Sequence, residues 1–317
     1  MRPLARRRLN FGLLTAAGLL LMAEAGVSVF GRRTLGAWEA PVPVTQTGAP
    51  YLPGNPFLLW EMVPGERQEM GVDVHINALG FRGPETSEAK PKGTRRVLIL
   101  GDSTVYGHGV KETEVFGRRL DTALGEDVEV INLGTPGYST AQSINLMAMR
   151  GWALEPDLVV IANLWSDNNF DSFVDKQLLS SRHNAGLSLL PALARVLQQS
   201  ALYRWLDWTI RLEPRAEEVK TVGWMLGQTP TGGYRRVSVN DYAANLQLLV
   251  DEADKHGAAV AFVAFANAVD LGAETEGAIA WPLYRSVMSA VAKRNRAPLI
   301  EIGPAFEASG LLRDALF

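Results

Sequence analysis

The sequence predicts an α/β protein, built on a parallel sheet with helices on both faces and preceded by one hydrophobic N-terminal helix. Three observations carry this. Short unbroken apolar runs recur after residue 95, as expected of strands buried on both faces. Amphipathic helical periods separate those runs, the alternation that parallel sheets require. A long apolar segment sits directly behind a basic cluster at the start of the chain. At 317 residues, with 47% hydrophobic and 21% charged residues, the composition is that of an ordinary globular protein, not of a disordered chain or a multi-span membrane protein.

In chain order, Met1–Arg8 carries four arginines and Leu9–Phe30 is almost wholly apolar. The whole run reads as a single membrane anchor of about 20 residues. Its uncharged part, Phe11–Ala23, followed by Ala23-Glu24-Ala25, also reads as a cleavable signal peptide. The arginine excess ahead of the run predicts a cytoplasmic N-terminus and a domain on the extracytoplasmic side, with the lipid bilayer as a partner; secretion after cleavage is the alternative. Residues 1–33 are therefore read as the anchor. Residues 34–93, punctuated by Pro41, Pro43, Pro50, Pro53, Gly54, Pro56 and Pro84, read as an extended spacer with one ordered patch, His75–Gly83.

Residues 94–317 form the predicted α/β domain. Strands are expected at Val97–Leu100, Val128–Ile131, Asp157–Ala162, Ala258–Ala266 and Pro298–Ile302. Helices are expected at Glu112–Leu124, Thr140–Arg150, Asp241–Lys255 and Pro282–Arg296. In the third of these, Tyr242, Leu246, Leu249 and Ala253 share a face. Residues 169–237 break the alternation, hold Trp205, Trp208 and Trp224, and read as a helical insertion with no clear strand.

Several functions are excluded. A net charge of −3 argues against a nucleic-acid partner, which needs a basic face to neutralise phosphates. Zero cysteines exclude disulfide scaffolds, thiolate zinc sites and thiol catalysis. The sequence holds no His-Glu-x-x-His, EF-hand or P-loop motif, so neither metal nor cofactor is expected.

The residues suited to chemistry collect where strands end. Gly101-Asp102-Ser103 follows the first strand, and in an open parallel sheet that edge binds ligands. A serine there can expose its hydroxyl while its own N–H faces an oxyanion; capping a helix is the plainer role. There is no G-x-S-x-G elbow. The second strand leads into Gly134-Thr135-Pro136-Gly137-Tyr138, and the third into Asn163-Leu164-Trp165-Ser166-Asp167-Asn168. One edge thus receives a serine, glycines and a polar cluster from consecutive strands.

On these blocks the chain resembles the SGNH/GDSL hydrolase family, in particular its membrane-anchored bacterial members, over about residues 70–317. The resemblance implies a flavodoxin-like three-layer α/β/α sandwich and serine-dependent ester hydrolysis, with a small-molecule or glycan ester such as an O-acetyl group as substrate. Ser103 would be the nucleophile, Asp102 a structural member of the motif, and Gly137 an oxyanion-hole donor. Two blocks depart from the family. Where its third block has G-x-N-D, this chain has Leu164-Trp165-Ser166-Asp167, so Ser166, or else Asn168 or Asn163, would have to supply the remaining donor. The closing D-x-x-H is not found; Asp314-Ala315-Leu316-Phe317 has the spacing but ends in Phe. Serine is a poor nucleophile without a base. The resemblance implies a histidine beyond residue 317 in a longer native chain, while His108 and His75 are the candidates within this one. Spacing places no carboxylate beside either. The alternatives are an O-acyltransferase on the same scaffold, or a binding protein that keeps the pocket without the base.

Overall fold

The computed structural model describes residues 3–31, 51–55, 57–171, 174–179, 200, 202, 218–219, 233–266 and 281–310. Helix α1 (Pro3–Gly26) runs on through a π-helical turn, Val27–Gly31. Leu14, Leu19, Leu20, Leu21 and Met22 are exposed along it. Among the described residues no helix is long and apolar enough to cross a membrane. Near the end of α1, Glu24 accepts hydrogen bonds from the Ser200 hydroxyl (2.6 Å) and the Leu202 N–H (2.9 Å).

The stretch expected as a spacer is different in its described part. Strands β1 (Tyr51–Asn55) and β2 (Leu59–Met62) form one antiparallel hairpin, and β3 (Gly65–Glu69) and β4 (Val72–Ile76) a second. Phe57, Leu58, Leu59, Trp60 and Met62 are buried, and most of them join the main core. Burying each such side chain contributes about 1.5–3 kcal/mol, far more than an extended linker could gain. Proline and glycine mark turns between strands as readily as linkers, which is why composition misleads here. Residues 34–50 lie outside the described residues.

The sheet follows. Strand β5 (Arg95–Leu100) leads to a single-turn helix α2 (Ser103–Tyr106), then α3 (Phe116–Leu124), β6 (Val128–Asn132) and α4 (Thr140–Leu146), which continues as a π-helical turn to Gly151. Next come β7 (Leu158–Ile161), α5 (Trp165–Asn168), β8 (Phe170–Asp171), α6 (Asp175–Leu178), β9 (Glu218–Val219) and β10 (Gly233–Arg235). Helix α7 (Val239–Lys255), β11 (Ala259–Ala264), α8 (Trp281–Asn295), β12 (Leu299–Glu301) and α9 (Ile302–Ser309) complete the described chain.

Five strands pair in parallel in the order β6-β5-β7-β11-β12, the doubly wound order of flavodoxin-like sheets. Alternation along each strand sorts side chains to two faces. Leu98, Leu100, Val159, Ile161 and Phe262 pack with Ile144, Tyr242, Leu246 and Met288, placing α4, α7 and α8 on one face. Val97, Ile99, Val160 and Val263 meet Phe116, Leu120 and Ile302, placing α3 and α9 on the other. The result is the three-layer sandwich that the periodicity predicts. Helix α7 begins where Ser238 accepts the Asp241 N–H (3.1 Å), a cap that satisfies one of the orphan donors of its first turn.

The inserted segment also differs from expectation. Its described parts include strands: β10 pairs antiparallel with both β8 and β9. Trp205, Trp208, Trp224 and His183 lie outside the described residues.

Candidate active site at the strand ends

Strand β5 ends in Gly101, and Asp102 then caps α2. Its Oδ1 accepts from the Thr104 N–H (3.0 Å) and hydroxyl (2.8 Å), and its Oδ2 from the Ser166 N–H (2.9 Å). The fully buried Asp102 therefore ties the loop after β5 to the loop after β7, a structural role. Ser103, the first residue of α2, is half-buried. Its carbonyl accepts from the Gly107 and His108 N–H groups, whereas its own N–H and hydroxyl have no partner among the described residues.

The loop after β6 is stitched to α2. Asn132 donates to the Val105 carbonyl (2.9 Å) and accepts from the Gly134 N–H (2.9 Å), and the Thr135 N–H donates to the Gly101 carbonyl (3.2 Å). Glycine is required at 134 by close approach: a Cβ there would stand 2.6 Å from the Tyr106 backbone nitrogen. Gly137 has φ +80° and is half-buried in a loop whose neighbouring residues are buried. Its carbonyl accepts from Arg236 Nη1 (2.7 Å), and its N–H is without a partner among the described residues.

The loop after β7 supplies the third set. Ser166 is anchored through its N–H to Asp102, and its hydroxyl has no partner among the described residues. Asn168 is held by Arg235, which donates to its side-chain oxygen at 2.6 Å. Asn163 is fully buried below; its Oδ1 accepts from Ser143 (3.0 Å) and its carbonyl from Tyr242 (2.7 Å), leaving its Nδ2 unpaired. The structure thus gathers Asp102, Ser103, Gly137, Ser166, Asn163 and Asn168 at the C-terminal edge of β5, β6 and β7.

Beneath them lies a charged network that motif spacing does not reveal. Asp175 and Arg236 form a buried two-point ion pair, Nε–Oδ1 and Nη2–Oδ2 both 2.9 Å. Ser139 donates to Asp175, and Gln142 accepts from Arg236 (3.1 Å). Asp167 accepts from the Thr140 N–H and hydroxyl. Burial, with a further contribution from the Asp175 charge, pushes the Asp167 carboxyl up to about 8, outweighing the Thr140 hydrogen bonds and the Arg236 charge. A carboxyl whose pKa rises on folding binds its proton more tightly in the folded state. Its stabilising contribution is complete below the unfolded value of 3.8 and is lost as pH rises to about 8. Asp167→Asn is therefore expected to flatten the stability profile across that window, measured by urea unfolding at several pH values. An unchanged slope would rule this out.

The His75–Gly83 patch runs from β4 into the following turn and straps the loop behind Ser103. Arg82, with a buried guanidinium, donates to the carbonyls of Tyr106 (3.2 Å), Gly107 (2.6 Å) and Val110 (2.5 Å) and pairs with Glu112 (3.1 Å). Burial, with the hydrogen bond to Glu69 and its nearby charge adding to it, holds the Tyr106 hydroxyl well above its ordinary pKa.

The histidines are dispersed. His75 lies on β4 between Glu66 (2.6 Å) and Glu85 (3.1 Å). His108 is exposed, its ring edge-on to Tyr106 at 5.8 Å, with no carboxylate partner among the described residues. His256 stacks on Trp152 (4.6 Å) at the C-terminus of α7, next to the start of β11 and so at the opposite end of the sheet. Sequence reasoning missed Asp175 and Arg236, and it placed Asp167 in the polar cluster and Arg82 in the His75–Gly83 patch without giving either a role. The only sequence signal was their charge in segments bordering apolar runs. Among the described residues no group of His, Asp and Glu could hold a metal ion.

No protein-family model matches the chain, and no curated protein matches it by sequence. Solved structures do. The chain is similar to the lipase/acylhydrolase from Enterococcus faecalis, with 16% identity and a TM-score of 0.38 over 68% of this chain and 80% of that one. It is also similar to AlinE4, a SGNH-hydrolase family esterase, at 16% identity and TM-score 0.36 over 67% and 77% of the two chains. A third is the acetyl xylan esterase AlAXEase, at 16% identity and TM-score 0.39 over 67% and 80%.

Proposed function

We propose that this chain is an SGNH-type serine hydrolase acting on acyl esters, with Ser103 as nucleophile. One observation carries the reading. In a strand-end cluster where nearly every polar group is paired, the Ser103 hydroxyl and N–H, the Gly137 N–H and the Ser166 hydroxyl have no partner among the described residues. Buried polar groups are normally satisfied, and these are the groups that acyl transfer to serine uses. Ser103 Oγ attacks the ester carbonyl, and the developing oxyanion accepts from the Ser103 and Gly137 N–H groups and the Ser166 hydroxyl. Asn168, whose side-chain oxygen Arg235 holds while its Nδ2 stays available to donate, is the alternative to Ser166; Asn163 lies deeper. The alcohol leaves, and water releases the acid from the acyl-enzyme. Acetate release from an O-acetylated glycan, compared with turnover of p-nitrophenyl esters, tests the substrate class; transfer to an added sugar hydroxyl would reveal the transferase.

The serine proton must pass to a base. His75 is engaged by Glu66 and Glu85, and His108 is exposed with no carboxylate partner among the described residues. General-base catalysis contributes about 10²–10⁴-fold. His108→Gln is expected to leave kcat within about threefold of wild type, which would remove His108 as the base. A loss of about 100-fold would instead make His108 the base. Ligand binding by the wild-type chain without any turnover would favour the binding-protein reading, to which the unoriented His108 lends its support.

The reading includes membrane association with the domain on the extracytoplasmic side. Its support is the arginine cluster of Met1–Arg8 and the exposed leucines of α1. Retention in the membrane pellet after alkaline carbonate washing is the expected result; release into the wash would refute it.

A further inference from the structure

We infer that Trp60 is a positioning residue for the oxyanion-binding N–H of Gly137, an inference that rests on the serine-hydrolase reading above. Residues Thr135–Tyr138 form a tight turn in which the Tyr138 N–H donates to the Thr135 carbonyl (3.0 Å). Pro136 and Gly137 are its central residues, and Gly137 has φ +80°, which makes it a type II turn. Types I and II differ by a flip of the central peptide, here the one between Pro136 and Gly137. That flip decides which way the Gly137 N–H points.

The carbonyl of Pro136 and the N–H of Gly137 belong to one planar trans unit, so they point in opposite directions. Trp60 Nε1 donates to the Pro136 carbonyl at 3.1 Å in a buried setting. Holding the carbonyl holds the N–H, and a hydrogen-bonded carbonyl also polarises its amide into a better donor. The indole lies directly on Gly137: a Cβ there would stand 2.9 Å from Trp60 Cζ2. Arg236 fixes the following peptide through the Gly137 carbonyl. Both peptide planes flanking Gly137 are thus held, and its own N–H has no partner among the described residues.

Trp60 is itself rigidly mounted. Its carbonyl accepts from the Tyr138 hydroxyl (2.5 Å), and α4 grips the same segment through Gln142 to the Leu58 carbonyl (2.8 Å) and Asn145 to the Phe57 carbonyl (2.7 Å). The hairpin that carries Trp60 is therefore a strut beneath the oxyanion hole.

The test is Trp60→Phe in the full chain, which keeps an aromatic ring and removes the donor. The measurements are kcat and KM on p-nitrophenyl acetate, the melting temperature, and relaxation dispersion of the Gly137 amide signal. Outright loss of one oxyanion donor costs about 10²–10³-fold in rate, so a donor left in place but free to flip should cost about 10-fold in kcat. The expected result is that fall with KM within about twofold, together with exchange broadening of the Gly137 amide as its peptide samples two orientations. An unchanged kcat, a rise in KM alone, or a Gly137 signal free of exchange broadening would overturn the inference. If the wild type neither turns over nor is labelled at Ser103 by a fluorophosphonate, the hydrolase reading fails instead. The Gly137 signal then decides alone whether Trp60 sets the turn: broadening in the variant sustains it, and its absence overturns it.

Discussion

Ser103→Ala is expected to lower kcat/KM for p-nitrophenyl acetate by about 10⁴-fold or more, because in the proposed function it removes the attacking oxygen and leaves only the oxyanion donors. The fold should not notice. The Ser103 hydroxyl has no partner among the described residues, and its Cβ sits at a half-buried position. Stability should stay within about 0.5 kcal/mol of wild type, as for other substitutions that remove no buried contact. The same variant should lose the mass increment that a fluorophosphonate adds to the wild type. Full activity in the variant would end the nucleophile assignment; lost activity with lost stability would mean that the serine supports the fold.

The largest effect on stability is expected from Arg236→Met. Its guanidinium lies between Asp175, Gln142 and the Gly137 carbonyl, and the Asp175 carboxylate is fully buried. Taking away one member of a buried pair strands the other charge, at a cost of about 3–5 kcal/mol. Urea unfolding should show this as a lower midpoint with the same slope. Adding Asp175→Asn should recover part of the loss, since the stranded charge is then gone, with a coupling of about 0.5–3 kcal/mol. Strict additivity of the two changes would show that the pair does not act as a unit.

Asp167 sits in the same network, and its raised pKa has the same origin. Arg236 can neutralise one carboxylate fully; Asp175 takes it at two points, and Asp167 is left with two hydrogen bonds from Thr140. Burial then favours its neutral form near pH 7. The network holds Gly137, Ser139 and Thr140 in place at the start of α4, so electrostatics here serve the geometry of the loop after β6.

Much of this was legible from the residues. The parallel strands and main helices followed from apolar runs and helical periods, because a side chain's burial in a doubly wound sheet is set locally by its position in the repeat. The placement of Asp102, Ser103, Gly137 and Ser166 in the loops after β5, β6 and β7 was legible, because strand ends in such a sheet meet at one edge. The hairpins of β1 to β4 were not. Their prolines and glycines look the same in a linker and in a turn, and only packing of Phe57, Leu58 and Trp60 against the core tells the two apart.

By itself the sequence determined that this is an α/β chain with a serine, a glycine loop and a polar cluster at one sheet edge, since those features repeat at short range. Tertiary structure alone decided what holds them. Trp60, Arg82, Asp175 and Arg236 come from segments distant in sequence, and each acts through a hydrogen bond to a backbone or carboxylate group that local pattern cannot place. These long-range partners occupy the carbonyls and carboxylates around the donors that have no partner among the described residues, and such pairing is a property of the assembled fold.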